Sequence, residues 1–181
     1  MTLTIRPATV ADAGILGGLH LTTWNETYPG LLGAAELRSH SHASRRAMWD
    51  SILSHPRPPR VLIAEESEPC GFAALRGQDD GELLALGYDG EIAALYLLAR
   101  AQGRGIGRRL FAAGRAALCE AGRSNHALWV LEGNHRAIGF YRAMGGSVVL
   151  RRRTRSETGE RVELALGWPL SDPATPKAGQ S

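Results

Sequence analysis

The chain has 181 residues, of which 44% are hydrophobic and 22% are charged. This length can fill one domain with a hydrophobic core, and the balance of residues excludes a disordered chain. The formal net charge of +3 is too small to indicate a nucleic-acid-binding protein. The sequence shows no bilayer-spanning apolar run, no signal peptide and no cysteine or histidine spacing typical of a metal site, so we expect a cytoplasmic protein without membrane partner or metal.

The first third of the chain predicts one strand and two helices. "LTIRPA" alternates between apolar and polar residues and indicates a short strand, and Thr9 can cap the helix that follows. Tyr28-Pro29-Gly30 ends that helix. A second helix is predicted near Ala34 to Leu53, where "HPRPP" ends it.

Strand patterns dominate the middle and the end of the chain. "RVLIAEE" and "CGFAALRG" predict a hairpin, and "ELLALGY" and "DGEIAALYLL" predict two further strands. From Ile106 the apolar spacing becomes helical, and Gly122 ends that helix. "HALWVL" predicts a strand, "GNHRAIGFYRAMGG" a helix, and "SVVLRRRTR" with "RVELALGW" a last hairpin.

This order of elements predicts an α+β fold. Its sheet is mixed and mostly antiparallel, and the late strand–helix–strand unit gives one parallel pair of strands. We expect a single domain over residues 1–170. Residues 171–181 are rich in Pro, Ala, Gly and Ser and predict a mobile tail.

A glycine-rich stretch joins the longest predicted strand to the helix at Ile106. Gly103, Gly105 and Gly107 can adopt backbone angles that other residues avoid, and they have no side chain to block a ligand. A helix N-terminus presents free N–H groups and partial positive charge, and arginines surround this one. The stretch therefore predicts a phosphate site. It lacks the Lys-Ser/Thr end of the nucleotide-hydrolase loop, and Leu110 stands where the dinucleotide fingerprint has its third glycine.

The residues from Gln102 to Gly107 have the pattern Q-x-x-G-x-G, and here the sequence resembles the GNAT superfamily of N-acetyltransferases. The resemblance runs from "TIRPATVADA" through "TTW…TYPGLL" to "ALWVLEGNHRAIGFYRAMGG", over about residues 3 to 168. It implies a central sheet with helices on both faces and a splayed parallel strand pair at the cofactor site. It also implies an enzyme that moves the acetyl group of acetyl-CoA directly to a primary amine of a small molecule, a peptide N-terminus or a lysine.

The resemblance implies the location of the cosubstrate as well. The backbone at Leu95, Tyr96 and Leu97 is expected to hydrogen-bond the pantetheine arm. The loop amides are expected to hold the pyrophosphate of coenzyme A, and they belong to Gln102, Gly103, Arg104, Gly105, Ile106, Gly107 and Arg108. Asn134 resembles the asparagine with which the family contacts the pantetheine arm, and Asn is equally favoured as a helix N-cap.

Acetyl transfer to an alkyl amine requires two proton movements. The amine, with a pKa near 10.4 like that of Lys, must lose a proton, and the departing thiolate gains from a proton donor. Tyr141 in "AIGFYRAMGG" resembles the family's tyrosine and is predicted to be that donor, while a packing role on the apolar helix side is the alternative. Glu91 is the candidate base through an ordered water, with a solvated strand-end carboxylate as the alternative. The substitutes for this role are Glu26, Glu82 and Glu132.

The sequence says less about the acceptor. Trp24 and Tyr28 lie where relatives border the acceptor, and an aromatic wall suits an amine, although both residues also fit the core. Two alternatives to an enzyme stay open, a non-catalytic acyl-CoA- or coenzyme A-binding sensor of the same fold and a nucleotide-binding protein of another class. Dimers are common among relatives, so the resemblance allows a homodimer.

Overall fold

The computed structural model describes residues 2–156 and 159–169. The strands of this part of the chain are β1 (Thr4–Pro7), β2 (Arg60–Glu65), β3 (Pro69–Gly77), β4 (Gly90–Leu97), β5 (Asn125–Leu131), β6 (Ser147–Ser156) and β7 (Gly159–Pro169). Its α-helices are α1 (Ala13–Thr27), α2 (Ala34–Arg38), α3 (His42–Leu53), α4 (Gly81–Ala85), α5 (Ile106–Glu120) and α6 (His135–Ala143). Short 3₁₀ turns precede α1 and follow β4, at Val10–Asp12 and Ala99–Ala101.

The strands form one mixed sheet in the order β1-β2-β3-β4-β5-β7-β6. Every neighbouring pair is antiparallel except β4 and β5, which are parallel. Because β4 and β5 are connected through α5, they form the strand–helix–strand crossover that the sequence predicts. The predicted α+β fold with a mostly antiparallel mixed sheet is confirmed.

The parallel strands separate soon after they begin. Their register contains the pairs Gly90 with His126 and Glu91 with Ala127, and it ends there although β4 continues to Leu97. The pairing of β4 with β3 shifts at Ala93, where β4 has an extra residue, and such a bulge bends a strand. A gap therefore opens between β4 and β5, and the backbone of β4 that faces it has no strand partner there.

Helices cover both faces of the sheet. On one face α1 and α3 pack over a core that includes Leu16, Trp49 and Phe72. On the other face α5 and α6 pack over a core that includes Leu110 and Trp168. None of the helices in the described residues is both long and apolar enough to cross a membrane.

Two helical segments differ from the sequence predictions. The helix predicted from Ala34 to Leu53 is two helices, because the hydroxyl of Ser41 accepts a hydrogen bond from the Ser44 amide at 3.1 Å and starts α3 anew. The strand predicted at "ELLALGY" begins as the short helix α4, which the Asp80 carboxylate caps. The predicted tail at 171–181 lies outside the described residues.

Candidate functional site

The loop from Gln102 to Arg108 connects the end of β4 to α5 and leaves its backbone donors free. Gly103 and Gly105 have φ angles of 74° and 79°, in the left-handed region that favours glycine. A Cβ atom at either position would meet nothing within 4 Å, so the space in front of the loop is open. Within residues 2–156 and 159–169, the N–H groups of residues 103–108 donate to no protein acceptor. These donors lie at the positive end of a 15-residue helix, which is the geometry of an anion site.

The side chains of the loop have different roles. The side-chain nitrogen Nε2 of Gln102 donates a hydrogen bond to the Leu97 carbonyl at 2.8 Å and connects the loop to the end of β4. The guanidinium of Arg104 turns away to Glu66, with N–O distances of 2.7 and 2.8 Å. Arg108 lines the open space and has no hydrogen-bond partner within the described residues. Of these two arginines, Arg108 is therefore the one whose side chain is free for a ligand.

A cavity of about 350 Å³ extends from this loop between β4 and α6, and we call it the loop cavity. The residues that line it include Leu95, Tyr96, Leu97, Gln102, Gly103, Gly105, Gly107, Arg108, Asn134, Ala137, Phe140 and Tyr141. A Cβ atom at Gly107 would lie 3.0 Å from Leu97 and 3.4 Å from Phe140. A side chain at position 107 would therefore push on Leu97 and Phe140, and glycine avoids this at the cavity floor.

Asn134 lies at the junction of β5 and α6. Its side-chain oxygen accepts a hydrogen bond from the Ala137 amide at 3.1 Å, so Asn134 caps α6. Its side-chain NH₂ group has no partner within the described residues, and the residue lines the loop cavity. The capping role thus leaves donors available to a ligand.

A second cavity of about 140 Å³ lies in the gap between β4 and β5, and we call it the interstrand cavity. It shares several lining residues with the loop cavity, namely Leu95, Tyr96, Asn134, Ala137 and Tyr141. Its other walls include Tyr28, Trp129 and Glu163. A molecule that lies along the loop cavity therefore ends next to the interstrand cavity, with Tyr141 in the wall of both.

Tyr141 has its ring in the core and belongs to both cavity walls. The ring packs against Phe111 and Trp168, with centroids 6.3 and 5.8 Å away. Burial raises the pKa of the Tyr141 phenol above its usual value near 10, and the nearby Tyr28 adds to the shift. The hydroxyl is therefore protonated at neutral pH and available as a donor.

Of the two aromatic residues predicted to border the acceptor, Tyr28 lines the interstrand cavity. Its hydroxyl is 2.8 Å from that of Tyr96, and burial raises the pKa of both phenols. Trp24 packs against Tyr28 at 4.4 Å between centroids and carries the buried Arg45 guanidinium over its ring at 4.9 Å. Trp24 thus lies behind Tyr28, and a role for either residue in binding stays a prediction.

Glu91, the predicted base, lies where β4 still pairs with β5 and lines neither cavity. Its side chain is 10% exposed, and its carboxylate accepts a hydrogen bond from Arg76 at 2.5 Å. Glu26 accepts a hydrogen bond from the Ala99 amide, and Glu132 pairs with Arg151. The catalytic assignment of Glu91 stays a prediction, and neither Glu26 nor Glu132 lines the two cavities.

Sequence reasoning missed two features of the cavities, Glu163 on β7 and the hydroxyl of Tyr96. One feature of the sequence could have marked Glu163 as a candidate site residue, namely its negative charge within the mostly apolar run "RVELALGW". The pairing of β7 with β5 brings this residue to the gap, and no local pattern reveals that pairing. In the described part of the chain, no group of three or more His, Cys, Asp and Glu side chains could hold a metal ion.

Comparisons with known proteins agree with this geometry. Residues 21–145 match the model of the Acetyltransferase (GNAT) family. The chain is 30% identical over 172 residues to the uncharacterized N-acetyltransferase YuaI of Bacillus subtilis (strain 168), covering 92% of this chain and 93% of that protein.

Solved structures share the fold. The structure of yncA from Salmonella typhimurium with its cofactor acetyl-CoA has a TM-score of 0.71 at 18% identity, covering 99% of this chain and 100% of that one. The PaiA N-acetyltransferase from Thermoplasma acidophilum in complex with coenzyme A has a TM-score of 0.67 at 19% identity, covering 91% and 98%. The family match over most of the chain, together with YuaI, shows that this chain belongs to the Acetyltransferase (GNAT) family.

Proposed function

We propose that the protein is an N-acetyltransferase that moves the acetyl group of acetyl-CoA directly to a primary amine. The observation that carries the proposal is the row of free amides at residues 103–108, which opens into a cavity that reaches Tyr141. Acetyl-CoA is the proposed donor because the yncA structure contains it and the PaiA structure contains coenzyme A.

The residues present fit the pyrophosphate and the pantetheine arm of coenzyme A. The amides of residues 103–108 and the side chain of Arg108 match the charge of a diphosphate. At Leu95–Leu97, β4 pairs with β3 on one edge and has no strand partner on the edge that faces β5. The backbone groups on that free edge, apart from the Leu97 carbonyl that Gln102 holds, are open to the amide groups of the pantetheine arm. Asn134 offers its free NH₂ group from the facing wall.

Tyr141 is the proposed acid of the transfer. As the amine nitrogen bonds to the carbonyl carbon and the carbon–sulfur bond breaks, the Tyr141 hydroxyl gives its proton to the departing sulfur. The phenolate then regains a proton from the newly formed ammonium nitrogen. In this proposal a backbone N–H near Leu97 polarises the carbonyl oxygen during the attack. The raised pKa of Tyr141 suits this role because the phenol keeps its proton at neutral pH.

Thermal unfolding tests the cosubstrate. A ligand at about one hundred times its dissociation constant adds roughly 2.7 kcal/mol of stability, which raises the unfolding midpoint of a domain of this size by about 5–10 °C. We expect this shift with acetyl-CoA and with coenzyme A, and not with ATP or NAD. A shift with ATP or NAD and none with coenzyme A would contradict the proposal.

Turnover is tested by release of free thiol from acetyl-CoA with spermidine, an Nα-blocked lysine and a short peptide with a free N-terminus. Thiol release that depends on one of these amines supports a transferase. Tight binding of acetyl-CoA without amine-dependent release from a broad amine panel would indicate a sensor instead.

A further inference from the structure

Glu163 has a position that points to a role in the acceptor half of the site. We propose that Glu163 binds the ammonium group of the acceptor and takes a proton from it, so that the acceptor is an amine that arrives as a cation. This inference rests on the proposed transferase function and adds the acceptor's charge and the proton acceptor.

The interstrand cavity brings Glu163 close to the proposed reaction site. Glu163 lies on β7 opposite Leu131 of β5, and it lines this cavity together with Tyr28, Tyr96 and Tyr141. Among the described residues that line the two cavities, Glu163 is the one with an acidic side chain. The lining residues of the interstrand cavity include no Lys, Arg or His. The cavity therefore presents one negative charge and several phenols, which favours a cation over a carboxylate.

The charged groups around Glu163 carry an excess of negative charge, which favours the binding of a cation. Arg152 donates from Nε to Oε2 of Glu163 at 2.8 Å and from Nη1 to Oδ2 of Asp80 at 2.9 Å. The same guanidinium lies over the ring of Trp129, 3.7 Å from its centroid, which fixes its position. One guanidinium thus pairs with two carboxylates. The Arg152 cluster, which consists of Arg152, Glu163 and Asp80, therefore has a formal charge of −1.

One oxygen of the Glu163 carboxylate is free to act. Oε2 is held by Arg152, whereas Oε1 has no hydrogen-bond partner within the described residues. Glu91 differs from Glu163, because Glu91 is paired with Arg76 and lines neither cavity. An ammonium group at Oε1 would complete the charge balance of the Arg152 cluster.

The proton movements balance with Glu163 as the acceptor. Oε1 takes one proton from the ammonium group, which leaves a neutral amine with its lone pair. The nitrogen then bonds to the acetyl carbon while the bond to sulfur breaks, and Tyr141 protonates the sulfur and regains a proton from the nitrogen. Glu163 finally releases its proton to solvent, so that each turnover yields the acetylated amine, coenzyme A as a thiol and one proton.

The test uses two thioethers of coenzyme A, because they place a chosen group in the site without knowledge of the natural acceptor. S-aminopropyl-coenzyme A carries an ammonium group at pH 7, and S-propyl-coenzyme A is its neutral counterpart. We expect the wild-type protein to bind the ammonium compound about 10- to 100-fold more tightly, as measured by calorimetry. Glu163→Gln should bind both compounds with similar affinity.

The matched control is Glu160→Gln, which removes an exposed carboxylate of the same strand that pairs with Arg153 at 3.4 Å. It should keep the wild-type preference. If Glu163→Gln does not fold, Glu163→Asp retains the charge beside Arg152 and withdraws it from the cavity by one methylene group, so it should lose most of the preference.

The outcomes separate this inference from the proposed function. Equal affinity of the wild-type protein for the two thioethers, or an unchanged preference in Glu163→Gln, overturns the role of Glu163 and leaves coenzyme A binding intact. Loss of the preference in Glu91→Gln with retention in Glu163→Gln assigns the proton acceptor to Glu91 instead. Failure of both thioethers to bind the wild-type protein refutes the transferase proposal itself.

Discussion

Replacing His126 with phenylalanine tests whether two histidines, the buried His126 and the half-buried His20, set the acid stability of the fold. His126 is fully buried, its ring stacks on Trp168 with centroids 5.0 Å apart, and neither ring nitrogen has a hydrogen-bond partner within the described residues. Burial, and then the charge of Arg115, lowers the pKa of His126 from 6.5 to about 3. Burial likewise lowers the pKa of His20 to about 3, with the charge of Arg45 as the next cause.

Both rings are therefore neutral in the folded protein at pH values where they are charged in the unfolded chain. Below pH 6.5 the unfolded chain binds a proton at each ring and the folded chain does not, so the free energy of unfolding falls as the pH falls towards 3. Each ring contributes about 1.4 kcal/mol per pH unit, so the pair costs about 5 kcal/mol between pH 6.5 and 4.5. That loss is comparable with the whole stability of a small domain, about 5–15 kcal/mol. In His126→Phe the phenyl ring can still pack on Trp168 but does not titrate. The stability lost through this pair of positions between pH 6.5 and 4.5 should then fall to about 2.5 kcal/mol.

The assay is urea unfolding at several pH values between 6.5 and 4.5, followed by tryptophan fluorescence. His42→Gln, which changes an exposed histidine at the start of α3, should keep the wild-type dependence on pH. A His126→Phe variant whose stability falls as steeply as that of the wild type would show that His126 takes up no proton on unfolding, and the argument from burial would be wrong.

Three further predictions concern the site. Tyr141→Phe should lower kcat about 100-fold or more while the thermal shift with coenzyme A persists, and wild-type turnover in purified Tyr141→Phe would refute its role as the acid. Gly105→Ala and Gly122→Ala should each lower the free energy of unfolding in urea by about 1 kcal/mol, because both glycines have left-handed φ angles, of 79° and 74°. A loss of coenzyme A affinity is expected in Gly105→Ala alone. Equal losses of affinity in the two variants would argue against the loop as the anion site. Arg108→Ala should weaken coenzyme A binding about tenfold in calorimetry. Arg104→Ala should have a smaller effect because Glu66 already holds that side chain, and the reverse order would contradict the contacts.

Local sequence patterns predicted most of the fold because they report local physics. Strand-like runs separated by short turn segments predicted the β2–β3 and β6–β7 hairpins, and the glycines after β4 predicted a loop with left-handed residues at the start of α5. The prediction was wrong at "ELLALGY", where the Asp80 cap outweighs the strand propensity of the apolar residues. It was also wrong across Ser39–Ser41, where the serine cap of α3 divides one predicted helix into two.

The sequence by itself determined most of the order of elements, the glycine loop and the tyrosine of α6, because each of these depends on residues close together in the chain. Only the tertiary structure decided which carboxylate reaches the gap between β4 and β5. That outcome depends on the pairing of β7 with β5 and on the end of the β4–β5 register after Glu91, which join segments far apart in sequence. Strand pairing positions a side chain relative to residues across the sheet, which can be far away in the sequence. For this reason Glu91 forms an ion pair with Arg76, whereas Glu163 lines the interstrand cavity.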